Sequence, residues 1–298
     1  PGQGAQAWGM GQDVYEQTET GKRLFGKATE LMGCSMPQLC FEENDRLDIT
    51  EYTQAAMVTA SIAMMRVLEE NGIRPDVAAG LSLGEYCALA AAGVMSDEDA
   101  IRTVRQRGIF MQEAVPVGQG AMAAILALDA AAIEEVTGAM EGVWIANYNC
   151  PGQIVISGEK AAVEEACEKL KAAGAKRTVM LNVSGPFHSG MLTGAGEKLA
   201  QVLADVDIHT ARIPYVANVN AQPVTTAEPV KDLLTRQVSS SVRWQQSVET
   251  MINEGVDTFI EIGPGRTLAG FMKKINKEVR TMNVEKLEDI DKVVEALK

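Results

Sequence analysis

Apolar and polar positions change their spacing from segment to segment along the chain, and the spacing predicts the elements. From Gln54 to Glu70, Ala, Met and Leu recur at helical intervals, and Asn71-Gly72 then supplies a stop, which predicts a helix. A short apolar run, Asp76 to Gly80, passes through GLSLGEY into the Ala-rich ALAAA that ends at Gly93, the order strand, tight turn, helix. Ser96 with Asp99 resembles a capping box and opens a predicted helix from about Asp97 to Ala114, with Ile101, Val104 and Met111 as its apolar stripe.

Beyond Pro116 the pattern alternates: strand at 121–128, helix at 129–140, strands at 143–149 and 153–157, helix at 159–174, strand at 177–183. That order, βαββαβ, is the signature of a ferredoxin-like unit. An irregular stretch around SGPFHSGML follows, then a helix to about Ala204, a strand at 213–219, a helix ahead of Trp244, and a strand at 257–263 running into Gly263-Pro264-Gly265. Strands alternating with helices imply an α/β protein with a mostly parallel sheet. The expected organisation is a large subdomain made of residues 1–116 and 185–298, interrupted by a ferredoxin-like subdomain at 117–184. Pro1 leads straight into a Gly-rich loop, and a short segment of strand character is expected upstream of it.

Composition narrows the function classes. A chain of 298 residues that is 46% hydrophobic and 22% charged can bury a full core, which sets aside disordered and fibrous classes. The net charge of −13 disfavours nucleic acid and anionic membrane surfaces as partners. No apolar run approaches the roughly 20 residues of a membrane span, and the start resembles no signal peptide, so a cytoplasmic protein is expected. Five cysteines without a C-x-x-C pair indicate neither a disulfide framework nor a zinc site, and no metal is expected.

The candidate chemistry sits in the turn at Gly80-Leu81-Ser82-Leu83-Gly84. It fits G-x-S-x-G, the nucleophile elbow of α/β-hydrolase sheets, and lies between a predicted strand and helix as that mechanism requires. An α/β-hydrolase-like large subdomain follows, with Ser82 as candidate nucleophile; a helix N-cap is the plainer role for the same serine. A serine needs a base, and the chain has two histidines. His188 lies in the Gly/Pro/Ser-flanked loop SGPFHS, where a scaffold can aim the ring, and is favoured over His209, which remains the alternative. Arg107 falls about 40° from Met111 and about 60° from Val104 on a helical projection, at the border of the apolar stripe. Periodicity alone favours a stem laid over the core with its head in water. The opening PGQGAQ offers backbone donors suited to an oxyanion and lacks the Gly-Lys-Ser/Thr ending of a phosphate loop.

Six ordered motifs extend this picture across nearly the whole chain: PGQGAQ at the start, GLSLGEY at 80–86, RG at 107 followed by MQEAV, NYNCPGQ at 147–153, SGPFHS at 184–189 and EIGPG at 261–265. Together they resemble the malonyl-CoA:acyl-carrier-protein transacylase family. The resemblance implies Ser82 as nucleophile, His188 as base oriented by the backbone carbonyl of Gln237, and Arg107 gripping the malonyl carboxylate. It implies an oxyanion hole from the N–H groups of Gln3 and Leu83. It places Met111 and Phe187 at the acyl pocket, Phe187 in the malonyl-selecting form, and Asn147, Asn149 and Gln153 along the CoA or pantetheine channel. It further implies a monomer with malonyl-CoA and acyl carrier protein as partners and no resident cofactor. Leu81 departs from the family, which usually has histidine there, and puts in doubt any side-chain hydrogen bond at that place. An acidic carrier needs a local basic face, for which Lys273, Lys274, Lys277 and Arg280 are candidates. A serine esterase would share the elbow and the histidine but has no need of a cation at Arg107; a silent CoA- or carrier-binding scaffold would gain no covalent acyl group.

Overall fold

A computed structural model of the chain describes residues 1–297; Lys298, the end of the expected large subdomain, lies outside the described residues. Three short helices come first: α1 (Gln12–Gln17), α2 (Glu19–Met32), started by Thr18 and ended by a left-handed Gly33, and α3 (Met36–Phe41), started by Ser35. They lead to α4 (Thr50–Glu70), which is buried around nearly its whole circumference. Small Ala, Ser and Thr positions let neighbouring helices approach it from every side, so it serves as the central pillar of the main core.

Strand β1 (Ala78–Ala79) delivers the chain to the elbow, and α5 (Gly84–Ala91) carries it away. Helix α6 (Asp97–Glu113) packs against α4; its Ser96 hydroxyl accepts from the Asp99 N–H at 3.0 Å, as the capping sequence predicts. Next come β2 (Gly120–Leu126), α7 (Ala130–Gly138), β3 (Val143–Cys150), β4 (Gln153–Glu159), α8 (Lys160–Ala172) and β5 (Arg177–Met180). The four strands form an antiparallel sheet in the order β3-β4-β2-β5. Ala123 and Ile125 face α7 and α8 in a core of their own, while Met122 and Ala124 face the main core. Both faces of β2 are therefore buried, which is why its sequence reads as an unbroken apolar run.

After a 3₁₀ turn at Gly190–Leu192 come α9 (Thr193–Ala204), β6 (Tyr215–Val216), β7 (Pro223–Val224), α10 (Val230–Gln237), α11 (Trp244–Asn253), β8 (Thr258–Ile262), α12 (Thr267–Ile275), β9 (Arg280–Val284) and α13 (Leu287–Leu297). Strand β6 pairs in parallel with β1 and antiparallel with β7, and β8 pairs in parallel with β9 as a separate ribbon. A cavity of about 630 Å³ separates the β1 edge at Val77–Gly80 from β8, and neither Ser82, His188 nor Arg107 lines it.

Three expectations are corrected. The large part keeps mostly parallel pairing, β1 with β6 and β8 with β9, but it is split into two sheets, and β7 runs antiparallel because Ala217 to Ala221 turn the chain back, with Ala221 at φ 55°. The strand expected at 213–219 stops at Val216 because Asn218 is diverted to the elbow, where it hydrogen-bonds Ser82 and Gly80. The strand expected at 177–183 stops at Met180, which like Val183 is exposed, so that end has no apolar reason to remain in the sheet.

Candidate active site

The elbow is built on steric necessity. Ser82 adopts φ 51°, the left-handed region, and a Cβ on Gly80 would come within 1.9 Å of the Gly84 carbonyl oxygen. Asn218 clamps the turn: its Oδ1 accepts from the Ser82 N–H at 2.6 Å and its Nδ2 donates to the Gly80 carbonyl at 2.7 Å. The serine hydroxyl is thereby aimed at His188, whose Nε2 lies 2.7 Å from Ser82 Oγ. His188 Nδ1 lies 2.8 Å from the backbone carbonyl of Gln237. A carbonyl can only accept, so Nδ1 carries the proton and Nε2 is left to accept from serine. Among the described residues no carboxylate hydrogen-bonds the His188 ring.

Burial, aided by the Arg107 charge, lowers the His188 pKa to about 4 and keeps the imidazole neutral at physiological pH. Arg107 points inward, contrary to the preference of periodicity: it is 1% exposed, and its Cζ stands 5.7 Å from the centre of the Tyr86 ring. Its Nη1 donates to Gln54 Oε1 at 2.8 Å, and its Nη2 donates both to Ser82 Oγ and to Gln237 Oε1 at 3.0 Å. Its Nε is buried without a partner among the described residues. A buried cation with a spare donor beside a serine hydroxyl suits an anionic ligand group.

The opening loop lies over the elbow, since a Cβ on Gly2 would sit 3.0 Å from Leu81 Cδ2. Gln3 Nε2 donates to Thr50 Oγ1 at 3.2 Å, and Gln3 Oε1 accepts from Gln54 Nε2 at 3.4 Å. Leu83 is buried at the start of α5. Met111 is buried with its Sδ 3.6 Å from Gln54 Nε2, and Phe187 is buried in the main core beside the histidine. Asn147 and Asn149 on β3 are buried and Gln153 at the start of β4 is half-buried; none of the three hydrogen-bonds to Ser82, His188 or Arg107. His209 is exposed beside a different cavity with Arg66 and Arg212. Lys273, Lys274, Lys277 and Arg280 are exposed, and Lys274 acts electrostatically on Cys150 at the end of β3.

Sequence reasoning missed Gln54, Glu85 and Asn218. The signal is faint: Asn218 is a polar residue between apolar neighbours, Gln54 opens the apolar stretch of α4 and Glu85 lies in the first turn of the Ala-rich α5, and all three are buried and hydrogen-bonded into one network with Gln237 and Arg107. Among the described residues no group of three or more His, Cys, Asp or Glu side chains could hold a metal ion.

Known proteins share this architecture. Residues 1–289 match the family described as acyl transferase domain. The chain is 49% identical to the malonyl CoA-acyl carrier protein transacylase of Bacillus subtilis (strain 168), covering 100% of this chain and 96% of the relative. The crystal structure of malonyl CoA-acyl carrier protein transacylase from Clostridium perfringens superposes with a TM-score of 0.96 at 42% identity, over 99% of this chain and 95% of that one. A malonyl-transacylase in complex with its type II PKS acyl-carrier protein superposes with a TM-score of 0.95 at 40% identity, over 99% of this chain and 97% of that one. With the elbow, its histidine and the buried arginine in one place, and likeness along almost its entire length, the chain belongs to the acyl transferase family and is an acyltransferase.

Proposed function

We propose that the protein transfers malonyl groups from malonyl-CoA to the phosphopantetheine thiol of acyl carrier protein, supplying fatty acid elongation, through a malonyl-serine intermediate. The observation that carries this reading is the buried Arg107 guanidinium 3.0 Å from Ser82 Oγ, a cation that the carboxylate at the far end of a malonyl thioester can meet while Ser82 attacks the other end. In the first half-reaction His188 Nε2 takes the Ser82 proton as Oγ attacks the thioester carbonyl. The N–H groups of Gln3 and Leu83 hold the oxyanion, and Arg107 turns from Ser82 Oγ to the malonyl carboxylate with paired, charge-assisted bonds. Collapse breaks the C–S bond; His188 returns the proton to the departing CoA sulfur. The carrier's thiol then gives its proton to His188, attacks the ester and regenerates Ser82 by the same steps in reverse.

Phe187 leaves little room for a 2-methyl branch, and Met111 completes the acyl pocket. Asn147, Asn149 and Gln153 line the channel for the pantetheine arm, and the basic side chains around Lys274 face the carrier. The chemistry draws on no cofactor beyond the substrate's CoA and the carrier's own arm. The reading includes an α/β-hydrolase-like unit of residues 1–116 and 185–298 and a ferredoxin-like unit at 117–184, supported by the strand order β3-β4-β2-β5 with α7 and α8 on one face. It also includes a monomeric cytoplasmic enzyme; the five unpaired cysteines fit a reducing compartment, and a site made by one chain needs no second copy.

Steady-state rates with malonyl-CoA varied at several carrier concentrations test the two-step route. Parallel double-reciprocal lines are expected, and converging lines would contradict it. Acyl-enzyme that decays in buffer as fast as with a thiol acceptor would favour a hydrolase instead.

A further inference from the structure

One buried acid beside the site has no part in the steps above. Glu85, three positions after Ser82 in the first turn of α5, is 1% exposed. Its Oε2 accepts from Gln237 Nε2 at 2.7 Å and from the Asn218 N–H at 3.3 Å, while Oε1 has no partner among the described residues. The same Gln237 amide accepts from Arg107 Nη2 through Oε1 at 3.0 Å and also donates from Nε2 to the Ser82 carbonyl at 2.9 Å. A side-chain amide has one donating and one accepting end. An acceptor held against its NH₂ end therefore fixes which end meets the guanidinium. Facing the Glu85 carboxyl are Arg107 from α6, Tyr86 from α5 and Tyr215 from β6, and no carboxylate makes an ion pair with Arg107 among the described residues. Glu85 is the acid whose charge acts on that buried guanidinium.

We propose that Glu85 is a positioning and specificity-determining residue: through Gln237 it holds Arg107 at Ser82, and its own charge competes with the acyl group's carboxylate for the guanidinium. This rests on the reading of Arg107 as the carboxylate-binding residue. Burial pushes the Glu85 carboxyl up to about 7, against the pull of Gln237, Asn218 and Arg107, whereas His188 stays neutral until about 4. Ionised Glu85 places a second negative charge beside the acyl carboxylate, and protonated Glu85 does not. Malonyl binding therefore raises the Glu85 pKa, the complex takes up a proton from solvent, and discrimination in favour of malonyl weakens as pH rises through the neutral range.

The test is the ratio of kcat/KM for malonyl-CoA to kcat/KM for acetyl-CoA, measured from about pH 6 to about pH 8.5. Acetyl-CoA shares the thioester, Ser82 and His188 and lacks only the carboxylate, so every other titration cancels. A like charge nearby shifts a carboxyl by about one pKa unit or more, so the wild-type ratio is expected to fall about tenfold across the range. Glu85→Gln keeps an acceptor for Gln237 and should hold the ratio near the wild-type acidic plateau at every pH. A wild-type ratio that stays level, or an equal fall in Glu85→Gln, overturns the proposal; if the variant does not fold, the wild-type profile alone decides. Arg107→Ala separates the two readings. Equal losses for malonyl and acetyl in that variant remove the carboxylate clamp itself, whereas a malonyl-specific loss beside a level wild-type ratio removes only the role of Glu85.

Discussion

On the proposed reading, replacing Arg107 by alanine removes the charge that selects the acyl group, and its cost follows from the geometry. The guanidinium is buried, so a malonyl carboxylate that meets it is desolvated, and losing one partner of such a pair costs about 3 kcal/mol. At about 1.4 kcal/mol per factor of ten, kcat/KM for malonyl-CoA should fall roughly 150-fold. Acetyl-CoA lacks the carboxylate and loses only the placement of Ser82 Oγ by Arg107 Nη2, about 1 kcal/mol or roughly fivefold. Selectivity should therefore drop about 30-fold. Initial rates of CoA release from both donors, with a thiol acceptor in excess and thermal unfolding as a control for folding, measure it. A second readout is independent of substrate affinity: Arg107 helps hold His188 at its low pKa, so the acid limb of the rate profile should move to higher pH in the variant. Equal losses for the two donors and an unmoved acid limb would refute the clamp.

The elbow and its surroundings make further demands. Gly80→Ala would press a methyl against the Gly84 carbonyl, so urea unfolding should report a loss of about 3 kcal/mol or more, and an unchanged midpoint would contradict the turn geometry. Asn218→Ala leaves the Ser82 N–H and Gly80 carbonyl without their partner and should cost about 1 to 3 kcal/mol of stability while slowing acylation. Because the folded His188 titrates near 4 rather than 6.5, its neutral form contributes stability that is full above 6.5 and is lost as pH falls towards 4. Wild type should therefore lose more unfolding free energy than His188→Gln between those values, by about 3 kcal/mol at most; parallel profiles would show that the ring is not buried neutral. Phe187→Ala should raise the kcat/KM for methylmalonyl-CoA relative to malonyl-CoA, and no change would remove Phe187 from the acyl pocket.

The candidate serine and histidine are legible because they interrupt regular patterns. Ser82 sits between glycines at a strand-to-helix junction, and His188 in a loop of Gly, Pro and Ser, so local sequence marks both. The element order βαββαβ is likewise legible, because the apolar spacing switches between strand and helix periods at each junction. Arg107 was ambiguous because a helix-border position does not say whether a long side chain turns in or out; what turns it in is Gln54, 53 residues earlier, and Gln237, 130 residues later. Asn218 was hidden for the same reason, its partners being at the other end of the sequence and its use at the elbow cutting short a strand that local propensity extends. Long-range polar contacts leave only a faint trace, a polar letter between apolar neighbours at Asn218 and one at the head of an apolar stretch at Gln54 and Glu85.

The most direct measurement is the intact mass of the protein after brief mixing with malonyl-CoA in the absence of an acceptor, followed by peptide mapping. We expect a gain of one malonyl group, located on Ser82, discharged on addition of holo-carrier and absent from Ser82→Ala. An adduct on any other residue, or none at all while transfer to the carrier proceeds, would contradict a route through this serine.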